Sequence, residues 1–179
     1  MKKILLTTVF VLPLLLQAQK NSKKMSVYIQ GGYSGSNFLN AKAQNLLSSK
    51  MESHDHKCII FNAGIQWNIS DKWRIGPALT YDHFGTKHRS LEYSNVSYML
   101  RADRIWKHSD NFSIYSGTAA GITKVRKFED EIEKFRKTKI GYQIYVVGIN
   151  YKVFKNFKLE ANAGYGVSGL FNAGARFNF

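Results

Sequence analysis

The stretch Phe171-Asn172-Ala173-Gly174-Ala175-Arg176-Phe177-Asn178-Phe179 alternates apolar or small residues with polar ones or glycine, without a break. Successive side chains point to opposite faces only in a β-strand. One face carries Phe171, Ala173, Ala175, Phe177 and Phe179, and the other Asn172, Gly174, Arg176 and Asn178. A strand that is greasy on one side and polar on the other, ending on an aromatic, has the pattern required of the closing strand of a barrel whose outside meets lipid.

Similar glycine-dotted alternation recurs through the chain, and eight strands are expected. The first covers 25–37, with Val27, Ile29, Gly31 and Tyr33 on one face. The second, 58–69, turns Ile59, Phe61, Ala63, Ile65 and Trp67 outward. The third, 72–84, turns out Trp73, Ile75, Pro77, Leu79 and Tyr81 and directs Arg74, Thr80 and Asp82 inward. Proline cannot donate to a ladder, so a bulge is expected at Pro77. The fourth, 96–106, sends Arg101 and Asp103 inward. The fifth, 112–125, alternates poorly and its facing stays open. The sixth, 142–153, puts Tyr145, Val147, Ile149, Tyr151 and Val153 on one face. The seventh, 157–167, directs Lys158, Glu160 and Asn162 inward, and the eighth is the stretch quoted first.

The connections alternate in length. Tight polar turns are expected at Ser70-Asp71, His108-Ser109-Asp110 and Lys155-Asn156, with long charged loops at 39–57, 85–95 and 126–139 and a short final connection near Ser168-Gly169. Short turns at one end and longer loops at the other are the rhythm of outer-membrane barrels. Trp67, Trp73 and Trp106 fall near the tight turns, as do Phe112, Tyr151 and Phe157. Aromatic rings with a polar edge favour the membrane–water interface. Tyr33, Phe61, Tyr81, Tyr98 and Tyr165 are expected in the opposite girdle. Alternation alone fits equally a soluble barrel with its aromatics inside. The glycines Gly64, Gly76, Gly148, Gly164 and Gly174 on the polar face favour the lipid-facing arrangement, because an eight-stranded barrel has little interior room.

The N-terminal residues Met1-Lys2-Lys3 are basic, Ile4 to Leu16 are almost wholly apolar, and Gln17-Ala18-Gln19 offers a small residue for cleavage. That layout is a secretory leader; the apolar run is shorter than the roughly 20 residues of a spanning helix. The leader is placed at 1–18 and a single barrel domain at 19–179. One cysteine, Cys58, excludes an internal disulfide framework. The formal net charge is +14. In a soluble protein this would suggest nucleic acid; in an exported one it suggests anionic headgroups, surface glycans or a polar lumen.

On the strength of the alternation, the terminal Arg176-Phe177-Asn178-Phe179 and the loop rhythm, the chain resembles the small outer-membrane barrels typified by outer membrane protein X and the membrane domain of outer membrane protein A. The resemblance implies an all-β, eight-stranded, antiparallel up-and-down transmembrane β-barrel in the outer membrane of a Gram-negative bacterium. It also implies that Phe177 and Phe179 belong to a C-terminal signal read by the barrel-assembly machinery.

Inside such a barrel Glu160 and Arg176 fall on neighbouring strands, as do Arg74 and Asp103. A buried charge is tolerable when paired and hydrogen-bonded, so a lumen held shut by these four residues is favoured over an ion-conducting path. Trp67, Trp73, Trp106 and Tyr151 are the candidate interface aromatics. His54-Asp55-His56 has metal-ligand chemistry without a fourth ligand. His88-Arg89-Ser90 is similar to the His-x-Ser pair of outer-membrane lipid A deacylases, with Asp82 or Glu92 as nominal partners. The segment 124–139 has two basic arms around an acidic tip. It reads as a hairpin with Phe128 and Phe135 paired across it, or as a short helix with Phe128, Ile132 and Phe135 on one face.

The expected function is structural or adhesive, through surface binding by the long loops. A narrow passive channel, a lipid A-modifying enzyme and a secreted soluble ligand-binding barrel are the rivals. No cofactor, metal or nucleic acid is expected. The expected partners are outer-membrane lipid and lipopolysaccharide, the assembly machinery and a surface ligand, with the barrel a monomer.

Overall fold

A computed structural model of the chain describes residues 25–33, 58–86, 91–109, 111–129 and 132–179. Eight antiparallel strands close into one barrel: β1 (Met25–Tyr33), β2 (Cys58–Ser70), β3 (Trp73–Thr86), β4 (Leu91–His108), β5 (Phe112–Glu129), β6 (Ile132–Lys152), β7 (Phe157–Gly166) and β8 (Phe171–Asn178). Each strand pairs with its sequence neighbours, and β1 pairs with β8 through Val27↔Phe177 and Tyr33↔Phe171. This up-and-down order is the simplest closure of eight consecutive hairpin-linked strands, and it leaves no open edge.

The two faces sort as a lipid-facing barrel requires. Ile29, Ile65, Leu79, Leu100, Ile122, Ile144, Leu159 and Phe171, one from each strand, are exposed on the outside. Gln30, Gln66, Arg74, Arg101, Gln143 and Glu160 are buried inside. The soluble alternative, with its aromatic rows at the centre, is thereby overturned. In water such a surface would expose apolar area far beyond what a monomeric protein carries.

Three local expectations are corrected and one open facing is resolved. First, β3 and β4 stay paired to Thr86↔Leu91, and β5 and β6 to Glu129↔Ile132. Most of 85–95 and 126–139 is therefore ladder rather than loop, and 124–139 is a hairpin, not a helix. Lys127 faces Phe135 and Phe128 faces Glu133, so the two phenylalanines are not directly opposed. Beyond the bilayer both faces of a strand are wet, and the apolar contrast that marks strands inside it disappears.

Second, Pro77 causes no bulge. Pairing with β4 runs unshifted through Pro77↔Leu100, and the register to β2 is the same on either side of it, at Gly64↔Ala78 and Trp67↔Ile75. The residue without a donor is accommodated by an interrupted ladder to β2, with no extra residue inserted. The shift on this hairpin lies between Asn68 and Ser70.

Third, Tyr145 points inward. A bulge between Tyr145 and Val147 interrupts pairing with both β5 and β7. The extra residue flips the strand's phase. Val146 and Val147 are both exposed, and Tyr145 joins Gln143 and Asn150 among the buried side chains. Fourth, the poor alternation of β5 has a simple origin. Its inward face includes Tyr115, while Ser116 and Thr118 take outward positions.

Gly148 is required by close approach. A Cβ on it would lie 2.1 Å from the Tyr115 ring. Gly148→Ala is expected to lower stability by about 1–3 kcal/mol through overpacking, seen as an earlier midpoint in urea unfolding from lipid vesicles.

Candidate functional site: the charged lumen

Every strand sends at least one side chain into a polar layer across the barrel axis. Its centre is two carboxylates among three guanidiniums, all buried. The Asp103 carboxylate accepts from Arg74 Nε at 2.9 Å, Arg101 Nε at 2.9 Å and Gln66 Nε2 at 3.0 Å. The Glu160 carboxylate accepts from Arg176 Nε at 2.9 Å and Nη2 at 2.8 Å, from Arg101 Nη2 at 3.1 Å, and from the Tyr115 hydroxyl. Arg176 Nη1 donates to Ser26 Oγ at 2.7 Å. Arg101 thus joins the two carboxylates across the barrel, from β4 to β7.

Three arginines against two acids leave one positive charge in excess, and aromatic faces take part of it. The Arg101 guanidinium lies 4.2 Å from the Tyr145 ring centre and 4.7 Å from that of Tyr28. Arg74 lies 4.4 Å from the Tyr115 ring centre and Arg176 4.9 Å from that of Tyr28. Cations over desolvated aromatic faces gain up to about 2 kcal/mol each. The four lumen charges chosen from the sequence thus meet as Arg74–Asp103 and Arg176–Glu160. Arg101, Tyr28, Tyr115 and Tyr145 are equally central. Arg101 could be read as inward, but its reach across the axis could not; nor could the phase of Tyr145.

Towards the loop end an apolar layer follows, made of Tyr28, Ala78, Met99, Ala119, Tyr145 and Val167. Val167 belongs to the β7–β8 connection, which folds into the barrel instead of projecting from it. Ser168 N donates to Gln143 Oε1 at 2.8 Å, Ser168 O accepts from Asn62 Nδ2 at 3.1 Å, and the Ser168 and Thr80 hydroxyls lie 3.0 Å apart. Gly169, at a φ of +106°, lets the chain turn here, and its carbonyl accepts from Gln143 Nε2 at 3.0 Å. An amide relay ties this loop to the charged layer. Asn62 donates to Asn172 at 2.9 Å, Asn172 to Asn162 at 2.8 Å, and Asn162 to the Tyr115 hydroxyl at 3.3 Å.

The remaining candidates sort as follows. Trp73, Trp106 and Tyr151 are exposed on the outer wall near the tight turns, and Trp67 is half-buried there. Phe177 and Phe179 stand edge to face at 4.9 Å, and Phe179 N donates to Met25 O at 2.9 Å across the closing seam. The leader at 1–18, His54-Asp55-His56 and His88-Arg89-Ser90 lie outside the described residues. Of the two residues considered as partners of that serine, Asp82 is buried in the lumen, where it accepts from Asn95 Nδ2 at 3.1 Å, and Glu92 is exposed. Among the described residues no three His, Cys, Asp or Glu side chains cluster as a metal site would require.

An apolar outer wall, a charged interior and complete closure define a transmembrane β-barrel. Solved structures share the fold. The N-terminal β-barrel domain of Pseudomonas aeruginosa OprF matches 88% of this chain and 98% of its own at 14% identity, with a TM-score of 0.55. Neisserial surface protein A matches 88% and 95% at 15% identity and 0.53. Ail, the attachment invasion locus protein of Yersinia pestis, matches 89% and 100% at 14% identity and 0.52. No family model and no curated protein matches the sequence. The fold is that of the small barrels of the Gram-negative outer membrane, resembling outer membrane proteins A and X.

Glu160→Gln removes the charge that Arg101 and Arg176 share. It is expected to cost about 3–5 kcal/mol, as for a buried ion pair broken from one side. The check is the urea midpoint in lipid vesicles, with Lys155→Gln, on an exposed turn, as the neutral comparison.

Proposed function

We propose that this chain is a closed, monomeric outer-membrane barrel whose role is surface binding of polyanionic ligands, alongside structural support of the envelope. In this reading residues 1–18 are a leader and 19–179 the barrel. Phe177 and Phe179 are read by the assembly machinery. Trp67, Trp73, Trp106 and Tyr151 anchor the periplasmic interface, and the Arg74, Asp103, Glu160 and Arg176 lattice acts as a plug.

The observation that carries the surface role is the height and charge of the β5–β6 hairpin. A transmembrane β-strand needs about 9–11 residues, whereas β6 has 21 and β5 has 18. The surplus rises above the bilayer as paired ladder. Arg126 lies directly opposite Arg136, Lys124 opposite Thr138 and Val125 opposite Lys137. Lys124, Arg126, Arg136 and Lys137 are all exposed. These exposed cations stand above the membrane, where a polyanion can pair with them. Ail has been solved in complex with the heparin analogue sucrose octasulfate. The reading here rests on the basic ladder of this chain. Lipopolysaccharide phosphate from the cell's own surface offers the same chemistry.

Two measurements test it. In planar bilayers the purified barrel is expected to show no single-channel steps, because the lumen is crossed by the charged layer and the inward loop. On immobilised heparin, used as a polyanion probe, the barrel is expected to bind in low salt and elute as salt screens exposed charge. The variant with Lys124, Arg126, Arg136 and Lys137 all changed to Gln is expected to lose that binding while folding normally.

A further inference from the structure

We propose that the turn-end outer wall carries a glycerophospholipid site, with Arg104 holding the phosphodiester and an adjacent furrow holding an acyl chain. It rests on the reading above that the tight turns face the periplasm, so the lipid belongs to the inner leaflet of the outer membrane.

The outward face of β4 runs Tyr98, Leu100, Ala102 and then Arg104. A cation on the lipid face is costly at the midplane and nearly free of cost at the interface. An outward arginine therefore belongs at headgroup level, which is where the neighbouring tryptophans place it. Trp73 lies directly opposite Arg104 in the ladder. The guanidinium sits 4.1 Å from the Trp106 ring centre and 5.9 Å from that of Trp73. Among the described residues no carboxylate pairs with it.

The Trp106 ring is itself held in place. A register shift between Ile105 and Lys107 makes Trp106 the extra residue of a bulge, the usual device for re-aiming a side chain. Its indole N–H donates to Ser116 Oγ at 2.8 Å. A guanidinium braced against aromatic faces keeps its edge donors free for two parallel bonds to phosphate oxygens.

Beside Arg104 lies a furrow of about 400 Å³, shaped by Ala102, Gly117, Thr118, Ile144 and Val146. One irregularity opens it. Pairing between β5 and β6 shifts between Tyr115 and Gly117, opposite the bulge that leaves Val146 and Val147 both outward. Small residues form the floor, with Ile144 and Val146 as a wall. A headgroup cation next to an apolar channel on a lipid-facing surface matches one amphiphile, a phosphate-bearing diacyl lipid.

The test is native mass spectrometry of the full-length mature barrel, purified in detergent and titrated with phosphatidylglycerol. One bound phosphatidylglycerol is expected, with no retention of diacylglycerol, which lacks the phosphate. Arg104→Gln is expected to weaken retention about tenfold, the value of one charge-assisted contact, and Arg104→Lys to keep part of it. Thr118→Phe, which fills the furrow and leaves the charge intact, is expected to weaken it comparably. Wild-type retention in either Arg104→Gln or Thr118→Phe overturns the site, as does equal retention of diacylglycerol or a preference for lipid A. Heat-modifiable gel migration reports folding of each variant. Labelling of Asn111→Cys, in a Cys58→Ser background, with an impermeant maleimide on intact cells reports which way the turns face. A failed site and a failed topology are thus told apart.

Discussion

Two carboxylates, Asp103 and Glu160, hold three buried arginines at the barrel axis, and the rest of the molecule is arranged around that balance. A membrane barrel has no hydrophobic core in the ordinary sense, since its apolar surface is solvated by lipid. Specificity inside must come from polar groups, and polar groups away from water are stable only when saturated. Here Asp103 accepts from Arg74, Arg101 and Gln66, and Glu160 from Arg101, Arg176 and Tyr115. The donors come from five strands, so the lattice ties together staves that the backbone ladder connects only to their neighbours. Removing one acid leaves guanidiniums facing one another, which is why the lattice behaves as a unit.

Closure has a consequence for where function can lie. The charged layer, the apolar layer above it and the inward Val167–Leu170 connection occupy the axis in succession. In the proposed reading of a plugged lumen, chemistry with the surroundings falls to the outer rim and the lipid-facing wall. The rim is tall on one side because β4, β5 and β6 run well beyond the bilayer, and it carries the basic ladder. The wall is interrupted near the turns, where bulges in β4 and β6 expose Trp106 and open a furrow beside Arg104. The same irregularities that spoil ideal pairing therefore shape the wall beside Arg104, as bulges commonly do.

Much of the fold was legible because a strand's period of two is local. Phe171 to Phe179, Trp73 to Asp82 and Phe157 to Tyr165 could be assigned a face residue by residue. Glu160 and Arg176 could be brought together because a short connection joins their strands. Arg74 and Asp103 were harder, since 87–90 separates β3 from β4, yet both strands are long enough to fix the register by alternation. Legibility failed where one residue broke the period. The extra residue near Val146 moved Tyr145 from the lipid to the lumen. Above the membrane, where both faces of a strand are wet, 85–95 and 126–139 looked like loops.

The sequence by itself determined which side of each regular strand meets lipid, how many strands there are and that their polar faces carry pairable charges. These follow from alternation and the bilayer's need for an apolar exterior. Only the tertiary structure decided that Arg101 spans from Asp103 to Glu160, that Tyr28, Tyr115 and Tyr145 stack on arginines, that Ser168 turns inward and that Arg104 rests between Trp73 and Trp106. Those contacts join residues across the axis or over a bulge. They depend on strand stagger, diameter and the placement of extra residues, which closure sets for the barrel as a whole and no single strand encodes.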